Sequence, residues 1–351
     1  MKGRVIVLDR LDGREAAALM VDGRLEEIAI DPAGEGLSPG AICRAVAERP
    51  MKGQGGLFVR LPGGARGFLR QTGGVSAGQP LLVQIAGPAP EPGKALPVVT
   101  RLLFKSRFAI VTPGAPGLNV SRRIQDSGRR EGLEALAQAG MAGAAPDLGV
   151  ILRSAAGLAG EEEVAADLAE MRAMAEAVLP DLSGAPELLV DAATAHELAW
   201  RDWLDPAPDE VVEADGPPGA QFGAHAVDDA LDALLGPQVA LGGGGHMWIE
   251  PTRALVAVDV NTGADTSPAA SLKANVAAAR ELPRQLRLRG LGGQVVVDFA
   301  PIPKRDRHIL DQVMKAAFRA GGEANLVGWS TLGLYELTRR RDRSALSELW
   351  P

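Results

Sequence analysis

Short runs in which apolar and polar residues alternate fill the first hundred residues, and this period of two is typical of β-strands. Strands are predicted over 5–8, 16–21 and 25–30, and the Asp-Gly pairs between them are typical of two-residue hairpin turns. From residue 40 to 99, Gly or Pro interrupts the runs roughly every 8–12 residues, which predicts a small β-barrel. The barrel runs are 41–46, 56–61, 67–69 and 81–85, with a Pro-rich loop over 87–93.

The rest of the chain mixes helical and strand patterns and predicts an α/β (mixed α+β) fold. A strand is predicted over 108–112, and helical spacing predicts helices over 129–140 and 161–179. Residues 205–220, rich in Pro and acids, predict an exposed connection, and 242–245 a hinge-like loop. The last third predicts alternating elements: strand 254–260, helix 271–288, strand 294–299, helix 305–320, strand 325–329 and a final helix beginning near Leu334.

Composition narrows the class of protein. The chain has 351 residues, of which 46% are apolar and 23% charged, as in globular proteins that bury a sizeable core. The longest apolar runs are strand-sized and the N-terminus has no secretory pattern, so we expect no membrane association and a cytoplasmic location. Cys43 is the only cysteine, which excludes an internal disulfide and a cysteine-based zinc site. It lies in a predicted barrel strand and is interpreted as a packing residue.

Positive charge is concentrated in one segment of an otherwise acidic chain. The net charge is −7, yet residues 99–130 contain seven basic residues and one acid, a local charge of +6. Such an island is a candidate binding site for a polyanion. Within it, the pair Arg122-Arg123 either contacts that ligand or lies on a solvated face.

Two predicted strands end in carboxylates. Asp259 and Asn261 lie two residues apart and therefore share a face of the strand, and Asp298 ends the next strand. Because strands joined by one helix are usually parallel neighbours, Asp259 and Asp298 are expected to meet at one edge of the sheet. Paired carboxylates suit Mg²⁺, with waters and a phosphate completing its ligands. The alternative is that one aspartate caps a helix and the other accepts loop hydrogen bonds.

Other candidate positions are less specific. Arg153-Ser154 follows a strand and could bind a terminal phosphate, or Arg153 could pair with one of the glutamates that follow. Phe58 and Phe68 in the barrel could stack on bases or could be core residues. The four histidines have no metal-ligand spacing, and neither a nucleophile elbow nor a nucleotide-binding loop is present.

Several motifs together resemble one family, the bacterial ribonuclease E / ribonuclease G endoribonucleases. The matching stretches are 108–113 (FAIVTP), 117–124 (GLNVSRRI), 149–154 (GVILRS), 254–263 (ALVAVDVNTG), 284–299 (RQLRLRGLGGQVVVDF) and 332–341 (LGLYELTRRR). The resemblance implies an RNase H-like domain with an inserted S1 barrel and 5′-sensor subdomain, followed by a DNase I-like catalytic subdomain. On this basis we expect RNase H-like parts over 1–38 and 183–241, the S1 barrel over 39–98, the 5′-sensor over 99–182 and the catalytic subdomain over 242–351.

The resemblance also implies roles for individual residues. Asp259 and Asp298 match the family's Mg²⁺ ligands, and Asn261 the catalytic asparagine beside them. Arg153 matches the arginine that binds an RNA 5′-monophosphate, with Ser154 where threonine is usual. Phe58, Phe68 and Lys94 match RNA-contacting positions of the S1 barrel, and Arg122 and Arg123 lie in the basic island.

These positions imply a Mg²⁺-dependent endoribonuclease that cleaves single-stranded RNA in processing or decay and leaves 5′-phosphate and 3′-hydroxyl ends. The alternative is an RNA-binding protein that keeps the fold with weak or no catalysis. Pro301 and Arg253 stand where the family usually has acids. The Cys-Pro-x-Cys zinc link of the family is missing, so we expect a monomer or dimer rather than a zinc-linked tetramer.

Overall fold

The computed structural model describes residues 2–34, 36–50, 55–70, 73–91, 93–321 and 324–350. These residues fall into two units, which we call the larger unit (2–22 and 29–214) and the smaller unit (23–28 and 215–351). Each is described by itself. None of the helices in the described ranges has the length and apolar character that a membrane span requires.

The larger unit begins with strands joined by tight turns. The first three strands are β1 (Arg4–Leu11), β2 (Arg14–Val21) and β3 (Arg24–Ile30), of which 24–28 belong to the smaller unit. Strands β1 and β2 pair antiparallel along their whole length. At both Asp-Gly turns the aspartate and the glycine have positive φ, as hairpin turns of this length require. The three predicted strands are confirmed.

A closed five-stranded barrel follows, as the alternating runs predicted. Its strands pair in the order β4-β5-β6-β8-β7, and β7 closes on β4. Inward side chains such as Leu57, Val59 and Val83 are fully buried. Cys43 is among them, and burial raises the pKa of its thiol to about 11, so it is a packing residue. The strands are β4 (Ile42–Pro50), β5 (Leu57–Arg60), β6 (Arg66–Leu69), β7 (Pro80–Ile85) and β8 (Leu96–Val99).

The next part of the larger unit packs two helices against a small sheet of order β11-β12-β10-β9. The first helix begins after Asp126, whose carboxylate accepts from the Arg129 amide at 2.6 Å. The helix predicted over 161–179 is confirmed, and its apolar residues at helical spacing, from Val164 to Val178, are buried. The elements are β9 (Phe104–Lys105), β10 (Ala109–Pro113), β11 (Gly117–Val120), α1 (Ser127–Gly140), β12 (Leu148–Leu152) and α2 (Glu161–Val178).

Three further elements complete the larger unit, and one corrects the sequence prediction. They are β13 (Glu187–Val190), α3 (Ala195–Asp202) and β14 (Glu210–Val212). The segment 205–220, predicted as an exposed connection, contains a strand that was not predicted, because β14 lies inside it and pairs in parallel with β1. Local sequence does not predict this strand, because it has only three residues and its hydrogen-bond partners lie 205 positions earlier in the chain.

The smaller unit is a six-stranded sheet of order β15-β16-β17-β18-β20-β19. Helices α6 and α7 pack on one face and bury Met247, Val258 and Val297, whereas the other face carries mostly polar side chains. The elements are α4 (Ala220–Ala224), α5 (Val227–Leu235), β15 (Gln238–Ala240), β16 (His246–Pro251), β17 (Leu255–Asn261), α6 (Pro268–Leu288), β18 (Gly293–Asp298), α7 (Arg307–Gly321), β19 (Ala324–Trp329), β20 (Tyr335–Arg339) and α8 (Leu346–Leu349).

The helix predicted to begin near Leu334 is wrong, because this segment forms strand β20. Tyr335 and Leu337 are buried and Glu336 and Thr338 face the other way, which is the period of two of a strand. Pairing with both β18 and β19 places β20 inside the sheet. The segment carries strong helix formers, and sheet pairing overrides their local preference.

The arginines of the stretch 284–289 are structural. Arg287 Nε lies 2.6 Å from a Glu27 carboxylate oxygen. Arg289 is buried and donates to the Gly236 carbonyl at 2.7 Å, and burial lowers its pKa to about 10. The conspicuous basic character of this stretch therefore serves packing of α6 rather than a surface for ligands.

Candidate functional site

The two strand-end carboxylates are direct neighbours. Strands β17 and β18 are parallel, and Asp259 and Asp298 are register partners at their C-terminal ends. Both side chains are exposed on the open face of the sheet. Asn261 lies two residues further on and its Nδ2 donates to Asp259 Oδ2 at 2.6 Å. The juxtaposition predicted from the strand–helix–strand pattern is confirmed.

Helix capping does not account for these aspartates. Helix α6 is capped by Ser267, whose hydroxyl accepts from the Ala270 amide at 3.2 Å. Helix α7 begins only at Arg307. Within the described ranges, no group donates a hydrogen bond to the Asp298 carboxylate. The alternative interpretation, a cap and a loop acceptor, is therefore wrong.

Strand β16 adds two residues that sequence reasoning missed. His246 is the register partner of Asn261, and Trp248 is the register partner of Asp259. Both are partly buried on the open face, while Met247 and Ile249 point into the core. The alternation over 246–250 is typical of a strand, but it follows four glycines, which indicate a loop at this point of the chain.

A buried asparagine fixes the chain just beyond Asp298. The side chain of Asn275, on helix α6, is fully buried. Its amide donates to the Ala300 carbonyl at 2.9 Å and accepts from the Ala300 amide at 2.9 Å. These two hydrogen bonds pair the backbone N–H and C=O groups of Ala300, which lies in an irregular segment without a sheet partner. They hold the residues that follow β18 against the helix layer and so position Asp298.

The donors at this edge fit a hard divalent cation. Two adjacent exposed carboxylates and an amide are oxygen donors, and Mg²⁺ commonly binds one or two carboxylates while keeping several waters. Among the described residues, no group of three or more His, Cys, Asp or Glu side chains could hold a metal ion. A cation bound by Asp259 and Asp298 would therefore take its remaining ligands from water and substrate.

A second candidate site lies where two parallel strands end in the larger unit. Strands β11 and β12 are parallel, with Val120 opposite Leu152. The residues that follow, Arg122-Arg123 and Arg153-Ser154, are therefore placed at the same sheet edge. The Arg122 and Arg123 side chains are exposed, and within the described residues neither forms an ion pair. Both are available to an anion.

Two other arginines of the basic island hold the turns at this edge in place. Arg130 Nη1 donates to the Ser121 carbonyl at 2.9 Å and so braces the turn that carries Arg122 and Arg123. Arg129 Nη2 donates to the carbonyls of Ala156 and Ala159 at 2.6 and 2.7 Å, which braces the turn after Ser154. The island predicted from charge therefore divides into structural cations and free ones.

Arg153 is held by an acid far along the chain. Its Nη2 donates to Asp202 at 2.5 Å, and its Nη1 donates to the Ser106 carbonyl at 2.5 Å. The predicted alternative, pairing with one of the glutamates that follow, names the wrong partner: the nearest glutamate, Glu161, lies 3.6 Å from Arg129 instead. An ion pair is present, and Asp202 makes it.

Asp202 is the centre of a charged cluster that predicts a pH dependence. Burial opposes its ionisation, but Lys105 and Arg201 outweigh this and lower its pKa to about 2. A carboxylate with a depressed folded-state pKa stabilises the fold above its unfolded pKa and loses that contribution as the pH falls towards 2. Burial lowers the pKa of Lys105 itself, so the pair gives no comparable gain at high pH.

We therefore expect Asp202 to contribute about 2 kcal/mol to the free energy of unfolding near neutral pH, and to lose it between about pH 4 and pH 2. Urea unfolding at a series of pH values checks this. In the Asp202→Asn variant, stability should be lower at pH 6 and should fall less steeply below pH 4. Parallel curves for variant and parent across this window would contradict the assignment.

The barrel presents an aromatic pair on its outer face. Phe58 and Phe68 are cross-strand partners with ring centroids 5.4 Å apart, and both are only partly buried. Arg66 lies over the Phe58 ring at 4.2 Å and pairs with Glu48. The core interpretation of both phenylalanines is wrong. Lys94 is exposed in the loop before β8.

A cavity of about 710 Å³ lies at the other end of the smaller unit's sheet. It is lined by Lys315, Arg319, Asn325 and Thr338 among others. Thr338 pairs with Gln294 near the start of β18, whereas Asp298 ends that strand. The cavity is therefore separate from the carboxylate edge.

Paired carboxylates, free arginines at a sheet edge and outward aromatic rings are groups suited to a phosphate-bearing polymer. Comparison with known proteins agrees. The ribonuclease E/G family model matches residues 104–217 and 217–342, and the chain belongs to this family.

Individual relatives give the extent of the similarity. The chain is 29% identical over 313 residues to ribonuclease G of Escherichia coli strain K12, covering 78% of this chain and 62% of that protein. It is 29% identical over 312 residues to ribonuclease E of Nostoc sp., covering 78% of this chain and 44% of that protein. It is 32% identical over 171 residues to a chloroplastic ribonuclease E/G-like protein of Arabidopsis thaliana, covering 46% and 17%. The chain thus spans at most about 62% of these relatives.

Proposed function

We propose that this chain is a Mg²⁺-dependent endoribonuclease that cleaves single-stranded RNA in processing or decay. The observation that carries the proposal is the register pair Asp259 and Asp298, exposed at one sheet edge in a chain of the ribonuclease E/G family. Relatives named ribonuclease G and ribonuclease E support RNA as the substrate. We also propose that the chain has the family's subdomains, from RNase H-like to DNase I-like, at the boundaries predicted above.

The carboxylate edge would bind and orient the scissile phosphodiester. Asp259 and Asp298 would hold Mg²⁺, which when bound neutralises phosphate charge and lowers the pKa of a water. Asn261 holds Asp259 in place through one N–H of its Nδ2. Its carbonyl oxygen could accept a hydrogen bond from a water, and its second N–H could donate to a phosphate oxygen. A water would add to phosphorus and lose a proton to solvent while the bond from phosphorus to O3′ breaks and O3′ takes up a proton, which leaves a 5′-phosphate and a 3′-hydroxyl.

Recognition of a 5′-monophosphate is proposed for the edge that carries Arg153, Ser154, Arg122 and Arg123. A guanidinium fork and a hydroxyl match phosphate oxygens. Arg153 is oriented by Asp202 and by carbonyl acceptors, which fixes the direction of its remaining N–H groups. The exposed side chains of Arg122 and Arg123, which pair with no described acid, would add positive charge for the phosphate.

Binding of unpaired bases is proposed for the barrel face that carries Phe58, Phe68 and Lys94. Stacking on an aromatic ring contributes roughly 1–3 kcal/mol per base. We therefore expect Phe58→Ala to weaken binding of a single-stranded RNA in EDTA by roughly 5- to 150-fold, measured by fluorescence anisotropy. Trp200→Ala, which removes an exposed ring from helix α3, is the matched control and should keep the parental affinity. Equal affinity of Phe58→Ala and parent would show that the Phe58 ring does not stack on RNA bases.

One assay separates catalysis from binding without catalysis. A 5′-monophosphorylated, single-stranded oligonucleotide is incubated with the purified chain in Mg²⁺ or in EDTA, and products are resolved by length and end chemistry. Cleavage only with Mg²⁺ and with 5′-phosphate products supports the proposal. Tight binding without cleavage in Mg²⁺ would favour the alternative, an RNA-binding protein that keeps the family fold.

A further inference from the structure

Among the described residues, no hydrogen-bond acceptor or acid pairs with Arg307, at the start of helix α7. Arg307 is the first residue of helix α7, and its Cζ lies 4.4 Å from the centroid of the Trp329 ring. Trp329 in turn packs against Phe299, with ring centroids 5.8 Å apart. Phe299 directly follows Asp298 and is buried on the helix side of the sheet, so the Arg307 guanidinium lies on the helix side of the sheet end at which β17 and β18 carry Asp259 and Asp298.

The acids closest along the chain are occupied elsewhere. Asp311, one turn along α7, accepts from Trp329 Nε1 at 3.0 Å. The Asp306 carboxylate lies 3.8 Å from Arg305. Within the described part of the chain, Arg307 forms no ion pair, and its buried Nε has no hydrogen-bond partner. No described acid therefore compensates the charge of Arg307, and its terminal Nη groups, rather than the buried Nε, are available to an external anion.

The guanidinium is also fixed in position. The Trp329 ring covers one of its faces, and a Cβ built at Gly333 would lie 3.1 Å from Nη2. Gly333 has a φ of +92°, in the β19–β20 turn, so the turn backbone comes close to the arginine. A guanidinium held in this way loses little side-chain entropy when it binds a ligand. The exposed neighbours Lys304 and Arg305 add positive charge to the same segment.

We propose that Arg307 binds a phosphate of the RNA backbone next to the Asp259–Asp298 edge. The inference rests on the proposed endoribonuclease function and adds a phosphate-binding residue to it. The fork of N–H groups matches two phosphate oxygens, and the cation offsets the repulsion between two carboxylates and a polyanion. Arg307 thereby helps to position the RNA strand relative to the two carboxylates. It does not take part in proton transfer.

The test measures binding separately from cleavage. The affinity of the purified chain for a single-stranded RNA is measured in EDTA at several salt concentrations, for the parent, Arg307→Gln and Arg307→Lys. Each phosphate contact to a single strand contributes about 0.7 to the slope of log affinity against log salt. We expect Arg307→Gln to lower the slope by about 0.7 and Arg307→Lys to keep it. Arg280→Gln, an exposed arginine of helix α6, is the matched control.

Cleavage with Mg²⁺ gives a second readout. We expect Arg307→Gln to lower kcat/KM by roughly tenfold or more, because a charged hydrogen bond to substrate is lost. An unchanged salt slope for Arg307→Gln, or a slope lost equally in Arg280→Gln, would overturn the inference and leave Arg307 as a stacking residue for Trp329. If the parent binds RNA but does not cleave it, the proposed function fails, while the slope measurement still decides the role of Arg307.

Discussion

Replacing Asp298 by Asn is expected to abolish RNA cleavage while leaving RNA binding nearly unchanged. The substitution keeps the size of the side chain but removes the charge that pairs with a divalent cation beside Asp259. Metal-derived stabilisation of a phosphoryl transition state is worth several kcal/mol. The rate in saturating Mg²⁺ should therefore fall by at least about 100-fold, since each 1.36 kcal/mol corresponds to a factor of ten.

The matched control for this prediction is Asp229→Asn, the same change in charge at an exposed position of helix α5. It should cleave at the parental rate. Affinity for RNA in EDTA should be similar for both variants and the parent, because neither substitution touches the barrel rings or the free arginines. Parental cleavage by Asp298→Asn would show that the carboxylate edge is not the catalytic site.

Elements that are stabilised by residues close in sequence could be predicted, whereas elements that depend on distant residues could not. The β1–β2 hairpin, the barrel strands and helices α1, α2, α6 and α7 carry their own periodicity, so local patterns predict them. Strand β14 depends on β1, 205 positions earlier, and β20 depends on two neighbouring strands; their local composition indicates a loop and a helix instead. These elements form because the sheet offers hydrogen bonds that local preference cannot outweigh.

The candidate sites show the same division. Asp259 and Asp298 could be placed together because two strands joined by one helix are usually parallel neighbours. The partner of Arg153 could not be predicted, since Asp202 is 49 residues away and no pattern links them. The sequence does not single out Arg307. Its surroundings depend on Trp329 and on Asp311, which accepts a hydrogen bond from Trp329 and forms no ion pair with Arg307 among the described residues.

Replacing Arg153 by Ala tests whether this arginine recognises the RNA 5′ end or only stabilises the fold. We expect Arg153→Ala to lower the preference for 5′-monophosphorylated over 5′-hydroxylated RNA by roughly tenfold or more, since a charged hydrogen bond contributes about 1.5–3 kcal/mol. The measurement is the ratio of kcat/KM for two oligonucleotides that differ only at the 5′ end. Using a ratio removes any loss that affects both substrates equally.

Stability must be separated from recognition, because Arg153→Ala also leaves Asp202 without one of its partners. Arg172→Ala is the matched control: this arginine of helix α2 likewise donates to a carboxylate, Glu176 at 2.7 Å, and to the carbonyls of Gly140 and Ala142 at 2.8 Å. We expect both variants to unfold at lower urea concentration than the parent and only Arg153→Ala to lose 5′-end preference. If the ratio stays at the parental value in Arg153→Ala while its stability falls, the pair with Asp202 is the whole role of Arg153, and the 5′-phosphate must be sought at Arg122 and Arg123.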